Sequence, residues 1–397
     1  MEQLRKQLDE LYPDIVSWRR HLHRNPELSF HEEKTAEFVA DKLEQWGIEV
    51  RRQVGGHGLV GTLRGGMPGR TVALRADMDA LPIQDEKTCE YKSQVPGVMH
   101  ACGHDAHTAT LLGVAKALSD ARERLPGTYV FLFQHAEEMN PGGAKSMIEA
   151  GALEGIDACY GVHLWTPFPS GHVYCRPGPM MAAPDEFTLE IIGKGGHGGL
   201  PHQTVDSIVV GAELVSSLQT VVARSIDPTE PCVVSVGSFH AGSSFNVIAE
   251  TCTMKGTVRS FDPTVRLEAK RRIELLLEHT CAKYGATYKI DYRLGYPPVV
   301  NDPDEVERCF RVAAAAFGAD AVHESPLIMA GEDFSYFIEK VPGCFMFVGA
   351  GSEEHGIRHP HHHPRFDIDE RAMRTAAGLL LELAVDAAGQ APVASIS

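Results

Sequence analysis

Three apolar, strand-like runs of this sequence each end in polar residues, and no other feature restricts its fold as strongly. The runs read TVALRADMD, YVFLFQHAEE and ACYGVHLWT, and segments with helical spacing of apolar residues separate them. Strands that alternate with helices predict an α/β fold with a mainly parallel sheet, covered by helices on both faces. The carboxyl ends of parallel strands meet at one edge of the sheet, where ligands collect. We therefore expect five polar residues near one another, namely Asp77, Asp79, Glu137, Glu138 and His163.

From about residue 185 to residue 295 the pattern changes to strands in which apolar and polar residues alternate, as in DEFTLEIIGK and VSVGSFHA. Such alternation predicts an antiparallel sheet with one exposed face and helices on the other face. A chain of 397 residues also exceeds what one hydrophobic core usually organises. We predict a discontinuous catalytic domain, residues 1–184 and 296–397, interrupted by a smaller α+β lid and dimerisation domain, residues 185–295.

The chain is acidic, with 37 Lys and Arg residues against 53 Asp and Glu residues and a formal net charge of -16. This balance argues against binding to nucleic acid or to an anionic membrane surface. The N-terminal stretch lacks the continuous apolar core of a signal peptide, so we expect a cytoplasmic protein without a membrane partner. The nine cysteines have no framework spacing and are expected to be mostly reduced thiols.

The fragment HACGHD places Cys102 and His104 in a turn before a helix predicted over 106–120. Two donors in such a turn can converge on one metal ion, and the N-terminus of a helix stabilises a thiolate. The alternative is a buried cysteine beside a packing histidine. Asp105 is expected either to cap the helix or to orient a ligand histidine, and His107 is expected to be structural.

Adjacent carboxylates, Glu137 and Glu138, end the second of the three runs. Two neighbouring ionised carboxylates repel each other unless cations are present. Because neighbours on a strand point in opposite directions, one can bind a metal while the other faces a substrate. A solvated acidic turn is the alternative for this pair, and a core histidine is the alternative for His163.

Two further fragments, AGEDF (330–334) and HHHPRFD (361–367), contain carboxylates and imidazoles. Glu332 and Asp333 begin a predicted helix, so capping competes with ligation, and we expect this fragment in the wall of the pocket. One or two histidines of the second fragment can face a site while the others contact solvent.

Together these motifs resemble the M20 metallopeptidase family, specifically its amidohydrolase branch of aminoacylases, hippurate hydrolases and auxin-conjugate hydrolases. The resemblance extends from about residue 15 to residue 388. It rests on the motifs RADMDALP, MHACGHDAH, FQHAEE, GVHLW, GKGGHGGLPH, AGEDFSYF and HHPRFDIDE. It implies a hydrolase that binds two divalent metal ions per subunit, drawn from Zn, Mn, Co and Ni.

The metal ligands that the resemblance implies are Cys102, His104, Glu138, His163 and His362. His362 matches the family's ligand because it stands two residues before the motif proline, Pro364, and His363 is the alternative. The broader family bridges its metals with an aspartate where this branch has Cys102. Because a thiolate favours softer ions than a carboxylate does, the identity of the metal stays open.

The same resemblance assigns roles outside the ligand set. Glu137 is implied as the general base, with Asp79 and Asp105 as partners that orient the ligands. In the smaller domain, His197 is implied to reach across a dimer to the scissile carbonyl. Asn246 and Arg259 are implied to hold the carboxylate of the substrate, and Gly331 is expected to line the pocket. The expected assembly is a homodimer or a homotetramer.

The implied reaction is hydrolysis of the amide bond of an N-acyl amino acid, N-acetyl, N-benzoyl or similar, to a carboxylic acid and a free amino acid. Two alternatives use the same site, an N-acetyl-diaminopimelate deacetylase and a small-dipeptide carboxypeptidase. An alternative from another class is a non-catalytic metal-dependent binding protein. The presence of Glu137 beside Glu138 argues against that last alternative, because a binding protein needs no free base.

Overall fold

The computed structural model describes residues 1–390, which form two compact units. The larger unit comprises Met1–Met180, Val300–Pro326 and the described residues from Asp333 onward, and the smaller comprises Met181–Val299 and Leu327–Glu332. The predicted junctions at 184/185 and 295/296 lie four residues from the junctions at 180/181 and 299/300. Residues 327–332 were assigned to the larger domain by prediction but group with the smaller unit. The reason is that the Ala182 amide donates to the carbonyls of Ile328 and Ala330.

The strands of the described residues are numbered in chain order. They are β1 (Glu49–Arg51), β2 (Leu59–Arg64), β3 (Met67–Asp77), β4 (Pro126–Gln134), β5 (Ala158–Pro169), β6 (Val173–Cys175), β7 (Gly178–Met181), β8 (Ala183–Ile192), β9 (Gly196–His197), β10 (Cys232–Ala241), β11 (Val247–Ile248), β12 (Thr251–Ser260), β13 (Thr287–Arg293), β14 (Val299–Asn301), β15 (Val322–Glu324) and β16 (Gly343–Gly351).

The α-helices within the same residues are numbered likewise. They are α1 (Glu2–Arg24), α2 (Glu33–Gln45), α3 (His104–Ala121), α4 (Ala144–Glu149), α5 (Ser207–Thr220), α6 (Pro263–Tyr284), α7 (Pro303–Phe317), α8 (Ser335–Ile338) and α9 (Ala372–Ala388). A π-helical turn, Val221–Ser225, follows α5.

An eight-stranded sheet forms the centre of the larger unit, in the order β1-β2-β4-β3-β5-β16-β6-β15. The central pairs β4-β3, β3-β5 and β5-β16 are parallel, and so is the pair β6-β15. The pairs β1-β2, β2-β4 and β16-β6 are antiparallel. The predicted mainly parallel sheet is therefore confirmed, with antiparallel strands added towards its edges.

Residues on both faces of strand β3 are buried. Val72 and Leu74 belong to the main hydrophobic core, while Ala73, Arg75 and Asp77, which alternate with them, are also buried. A strand buried on both faces is typical of a parallel sheet between two helical layers. The buried charges of Arg75 and Asp77 are compensated because Arg75 Nη1 donates to Asp77 Oδ2 at 2.7 Å.

Helix α1 packs closely on α3 because one residue at the contact has no side chain. Leu4, Leu8 and Ile15 of α1 are buried in the main core. A Cβ added at Gly113 of α3 would lie 2.3 Å from the Ile15 Cδ1 atom. Gly113 therefore sets the approach of these helices, and α3 in turn carries part of the candidate site at its N-terminus.

The smaller unit has a four-stranded antiparallel sheet in the order β10-β12-β8-β13. Phe187, Leu189 and Ile191 alternate along β8 and pack with apolar residues of α5 and α6 in one core. Glu186 and Thr188 point to the other face of the sheet, where they line a cavity. The alternation in the sequence thus predicted both the sheet and the position of its helices.

The segment Ser207–Ser225 has the length and mean hydropathy, 1.2, of a candidate membrane span. In the structure, Val210, Leu214 and Leu218 of this segment are buried in the core of the smaller unit. Length and composition alone therefore do not distinguish this segment from a core helix.

Candidate metal centre

The N-terminus of α3 holds the first two predicted ligands. Gly103 caps the helix with a φ of 100°, in the left-handed region that glycine adopts without strain. This turn places Cys102 immediately before the helix and makes His104 its first residue. The Cys102 sulfur, one ring nitrogen of His104 and one carboxylate oxygen of Glu138 all lie within 4.8 Å of one another.

Asp79 fixes the orientation of the His104 ring. His104 Nδ1 lies 3.0 Å from the Asp79 carbonyl oxygen and 3.1 Å from its carboxylate. Both are acceptors, so Nδ1 carries a proton and Nε2 faces the cluster, where it has no hydrogen-bond partner among the described residues. Burial opposes charge on this ring, but Asp77, Asp79 and Glu138 outweigh it and raise the pKa of His104 to about 10. The surrounding carboxylates therefore create a negative potential suited to a cation.

Both glutamates after β4 face this cluster. Glu138 Oε1 lies 3.8 Å from His104 Nε2, and Glu137 Oε2 lies 4.0 Å from the same nitrogen. Their side chains are only about a tenth exposed, so the acidic pair is not a solvated turn. The prediction that strand alternation turns them in opposite directions is wrong. The strand ends at Gln134, and Ala136, with a φ of 52°, redirects the chain before the pair begins.

His163 meets Cys102 from strand β5. His163 Nδ1 lies 2.9 Å from the Leu164 carbonyl, so it carries the proton, and Nε2 lies 3.4 Å from the Cys102 sulfur. Burial, together with the rings of His107 and His361, lowers the pKa of His163 well below its usual range. The imidazole is therefore neutral, which is the form that binds metals.

The three histidines of the 361–363 run have different surroundings. His362, with a φ of 65°, brings Nε2 to 3.3 Å from Glu138 Oε1. His363 accepts from the Arg365 amide through Nδ1 and stacks on His359. His361 stacks on Trp165 with ring centroids 4.3 Å apart and lies in one group of donor atoms with Cys102 and His163. The geometry favours His362 over His363 and adds His361, for which no individual role was predicted.

The cluster fits a pair of metal ions. Two groups of donors, each within 4.8 Å, share Cys102: one adds His104 and Glu138, and the other adds His163 and His361. Glu138 Oε1 is buried and, apart from His362 Nε2 at 3.3 Å, has no hydrogen-bonding group placed for it in the described chain. Burial raises the pKa of the Cys102 thiol well above its usual range, and nearby carboxylates raise it further. The predicted helix effect does not offset this, so a thiolate here requires a cation.

Asp105 does not have either of its predicted roles. Gly103 is the capping residue, and the hydrogen bonds of the Asp105 carboxylate come from Arg19 Nε at 2.9 Å and His23 Nδ1 at 2.7 Å. His107 is structural as expected, since Nδ1 pairs with Asp77 Oδ1 at 2.7 Å and Nε2 accepts from the Leu164 amide.

A buried network that sequence reasoning missed holds the ends of β3 and β4. Asp333 accepts hydrogen bonds from Arg75 Nη2, from Gln134 Nε2 and from the Ala144 amide, at 3.1, 2.7 and 3.0 Å. Burial raises the pKa of Asp333 to about 6, against the opposing effect of Arg75. An arginine inside the apolar run TVALRADMD was the signal that could have revealed this network. Asp333 therefore braces the site; it does not cap α8, the helix that follows it, but accepts the first amide of α4.

The smaller unit places His197 and Asn246 on neighbouring strands. His197 of β9 pairs with Val247 of β11, and the Gly198 amide donates to the Asn246 carbonyl at 2.8 Å. His197 is exposed, and its Nδ1 accepts from the Gly199 amide. This two-stranded ribbon continues past the end of β8 at which Ile192 pairs with Thr251.

Arg259 lies at the other end of β12, where it pairs with Pro184. Eight residues separate Thr251 from Arg259, which corresponds to roughly 26 Å of strand. Arg259 lines a cavity of about 540 Å³ on the helix-free face of the sheet, together with Lys255, Thr257 and Arg293. One copy of the smaller unit therefore does not bring Arg259 and Asn246 to the same small ligand.

Gly331 lies against the first strand of the smaller unit. A Cβ added to Gly331 would come within 2.4 Å of Pro184 Cγ, so a larger residue would displace this segment. A role in binding substrate stays a prediction for Gly331.

Three comparisons with known proteins bear on this arrangement. YhaA of Bacillus subtilis, whose name assigns it to the amidohydrolases, is 50% identical over 384 residues, 97% of each chain. N-acyl-L-amino acid amidohydrolase of Geobacillus stearothermophilus is 50% identical over 301 residues, 76% of this chain and 81% of that protein. The crystal structure of Bacillus subtilis YXEP, described as a dinuclear metal binding peptidase, matches with a TM-score of 0.81 and 34% identity, over 95% of this chain and 98% of that one.

The family match is consistent with the fold and the donor cluster described above. Peptidase family M20/M25/M40 matches residues 73–386, a range that includes the carboxyl end of β3, the strands β4, β5 and β16, α3 and the histidine run. The chain therefore belongs to Peptidase family M20/M25/M40.

Proposed function

We propose that this protein is a metal-dependent amidohydrolase that cleaves N-acyl amino acids into a carboxylic acid and a free amino acid. The observation that carries the proposal is the position of Glu137, whose carboxylate lies 4.0 Å from His104 Nε2, beside the donor cluster. A binding site needs the donors but not an additional carboxylate. The relative named N-acyl-L-amino acid amidohydrolase supports the substrate class.

Two divalent ions are proposed as the cofactor. The two donor groups that share Cys102 support this number, as does the dinuclear description of the YXEP structure. Cys102, His104 and Glu138, with His362 beside Glu138, would hold one ion, and Cys102, His163 and His361 would hold the other. When bound, the ions lower the pKa of water and polarise a carbonyl group. Because Cys102 is a soft ligand, zinc, cobalt and nickel suit the site better than manganese.

Glu137 would move the proton during hydrolysis. As a general base it accepts a proton from the attacking water and then delivers it to the leaving nitrogen of the amide. Asp79 keeps the cluster in place, because it holds His104 and accepts from the Glu138 amide at 3.0 Å. Within the smaller unit, Arg259 would pair with the carboxylate of the amino acid.

His197 and Asn246 are proposed to serve the site of a second subunit. Their distance from Arg259 along β12 supports this, since one small substrate does not span it. A surface near them is apolar and exposed, with Ile208 and Val209 of α5 41% and 49% exposed and Phe245 fully exposed. We propose that this surface and the edge strand β10 form a homodimer, because exposed apolar patches beside an open sheet edge favour association.

A substrate panel tests the proposed reaction. The protein is loaded separately with Zn, Mn, Co and Ni and assayed with N-acetyl and N-benzoyl amino acids, N-acetyl-diaminopimelate and dipeptides. We expect the N-acyl amino acids to have the highest kcat/KM. Preference for dipeptides would favour the carboxypeptidase alternative, and activity on none of the panel would contradict the proposal.

Mixing two inactive variants tests the shared site. Glu137→Gln and His197→Ala subunits are mixed under conditions that allow exchange, and recovery of part of the activity is expected if His197 acts in trans. A failure to recover activity in proven mixed dimers would place His197 in its own subunit's site or outside any site.

A further inference from the structure

Glu32 makes a contact that neither the proposed metal centre nor the hydrophobic core explains. It is fully buried just before α2. Its Oε1 atom accepts the Ala136 amide at 2.7 Å and the Phe30 amide at 3.1 Å. Its Oε2 atom is also buried and has no hydrogen-bond partner in the described part of the chain. A carboxylate adds no apolar packing to the core. The structural contribution of Glu32 therefore lies in the two backbone amides that it binds.

The two amides that Glu32 holds belong to strained residues. Ala136 has a φ of 52° and Phe30 a φ of 66°, and neither is a glycine. A side-chain-bearing residue in this left-handed region is unfavourable and persists only where its surroundings impose it. The Ala136 amide points away from the ladder of β4 and is buried, so it needs an acceptor in this conformation. Glu32 provides that acceptor.

Ala136 is the residue that turns the chain immediately before Glu137. Its carbonyl accepts from the Gly143 amide at 3.0 Å, so both of its backbone polar groups are held. On the other side of Glu137, the Glu138 amide donates to Asp79 Oδ2 at 3.0 Å. Two carboxylates, those of Glu32 and Asp79, therefore fix the backbone on either side of the proposed base.

Neighbouring contacts show that the whole segment around Glu32 supports this turn. Ser29 Oγ donates to Asp79 Oδ2 at 2.6 Å, and the Phe30 ring packs edge-on against His135, with centroids 5.9 Å apart. Burial, with a further effect from Asp79, raises the pKa of Glu32 to about 7. The surroundings thus favour a neutral group at Glu32, and a glutamine would keep the accepting oxygen.

We propose that Glu32 is a positioning residue for catalysis, which imposes the left-handed conformation of Ala136 and thereby sets the position of the Glu137 carboxylate. The inference rests on the proposed role of Glu137 as the base. Glu32 accepts its hydrogen bonds from the Phe30 and Ala136 amides and not from a proposed metal ligand, and it is not assigned a chemical step.

Second-site rescue provides the test. In Glu32→Ala, Ala136 loses its acceptor, and we expect kcat to fall about 10- to 100-fold with KM within about twofold, since small displacements of catalytic groups have effects of this size. Glycine adopts a positive φ without strain. The double variant Glu32→Ala/Ala136→Gly is therefore expected to have a kcat about tenfold higher than that of Glu32→Ala. Glu32→Gln, which keeps the acceptor, is expected to stay within about threefold of wild type.

Controls separate positioning from general destabilisation. Metal content and thermal unfolding are measured for every variant, and Glu33→Ala, at an exposed neighbour in the first turn of α2, is the matched control. If Glu32→Ala does not fold, Glu32→Asp, which withdraws the acceptor by one methylene, replaces it with the same expected rescue. The proposal is overturned if metal-loaded Glu32→Ala has wild-type kcat, or if Ala136→Gly restores unfolding temperature but not kcat.

Comparing the Glu32 variants with Glu137→Gln distinguishes this inference from the proposed function. A fully active Glu137→Gln variant would remove Glu137 as the base whatever Glu32 does. An inactive Glu137→Gln variant beside a fully active Glu32→Ala variant would leave the function intact and reject only the positioning role.

Discussion

Arg259 donates a hydrogen bond of 2.6 Å to the hydroxyl of Thr257, two residues earlier on the same face of β12. The Thr257 hydroxyl in turn donates to the Asp185 carbonyl at 2.7 Å. Because the Thr257 hydroxyl uses its single proton in that bond, it accepts the Arg259 hydrogen bond through an oxygen lone pair. Asp185 is itself held by Arg266 and by the Gly295 amide. The proposed carboxylate-binding arginine is thus anchored to the framework of the smaller unit.

Removing this anchor is expected to weaken substrate binding selectively. A hydrogen bond to a charged group contributes about 1.5–3 kcal/mol, so Thr257→Val should raise KM for N-acyl amino acids about tenfold or more. The effect should disappear with substrates whose carboxylate is amidated. Thr257→Ser keeps the hydroxyl and is the matched control. An unchanged KM in Thr257→Val would show that Arg259 needs no anchor or binds no carboxylate.

The neighbouring histidines 362 and 363 offer a matched pair for testing the ligand set. His362 Nε2 faces Glu138, whereas His363 stacks on His359. We expect His362→Ala to reduce the metal content from two ions to about one per chain, with a large loss of activity. His363→Ala should retain both ions. Elemental analysis of dialysed protein makes the measurement, and loss of metal only in His363→Ala would reverse the assignment.

Cys102 should leave a spectroscopic signature in the cobalt-substituted protein. A thiolate bound to Co²⁺ produces a charge-transfer absorption that carboxylate and imidazole ligands do not produce. We expect this absorption in the wild type and its loss in Cys102→Ser. Cys89→Ser, at a half-buried cysteine outside the cluster, should retain it. Equal absorption in wild type and Cys102→Ser would exclude Cys102 as a ligand.

The Asp367 carboxylate should contribute to stability in a defined range of pH. Burial opposes its ionisation, but Arg19, Lys87 and a hydrogen bond from Tyr91 outweigh burial and lower its pKa to about 2. A depressed pKa stabilises the folded state above the unfolded value of about 3.8, and this stability is lost as the pH falls through about 2.

Comparison with Asp367→Asn isolates this effect. The difference in free energy of unfolding between wild type and variant is expected to shrink by about 2 kcal/mol between pH 6 and pH 2. Chemical denaturation at several pH values provides the measurement. If the difference in free energy of unfolding does not vary with pH, ionisation of Asp367 does not contribute to stability.

The sequence predicts the parts of this protein that local patterns encode. Helix α2, the central strands and the alternating strands of the smaller unit follow from hydrophobic periodicity, and polar residues at strand ends identify the donor cluster. Helix α7 begins as its sequence suggests, because Asp302 accepts from the amides of Asp304 and Glu305 and a proline follows at the first helical position.

What the sequence does not predict depends on contacts between distant residues. The three-residue strands β6 and β15 are too short to show a period, and they form because they pair with each other. Asp105 was expected to cap α3 or to orient a ligand histidine, but Arg19, 86 residues away in the chain, donates to its carboxylate. The left-handed Ala136 depends on Glu32, 104 residues earlier, and no local motif of the QHAEE segment reveals that contact.

Glu137 is proposed to move the proton at a metal centre that the other residues build. The most direct measurement is kcat together with metal content for Glu137→Gln, a substitution that keeps the shape of the side chain. We predict that the variant retains both metal ions and loses about two to four orders of magnitude in kcat, the usual contribution of a general base. A variant with both metals and the kcat of the wild type would contradict the account.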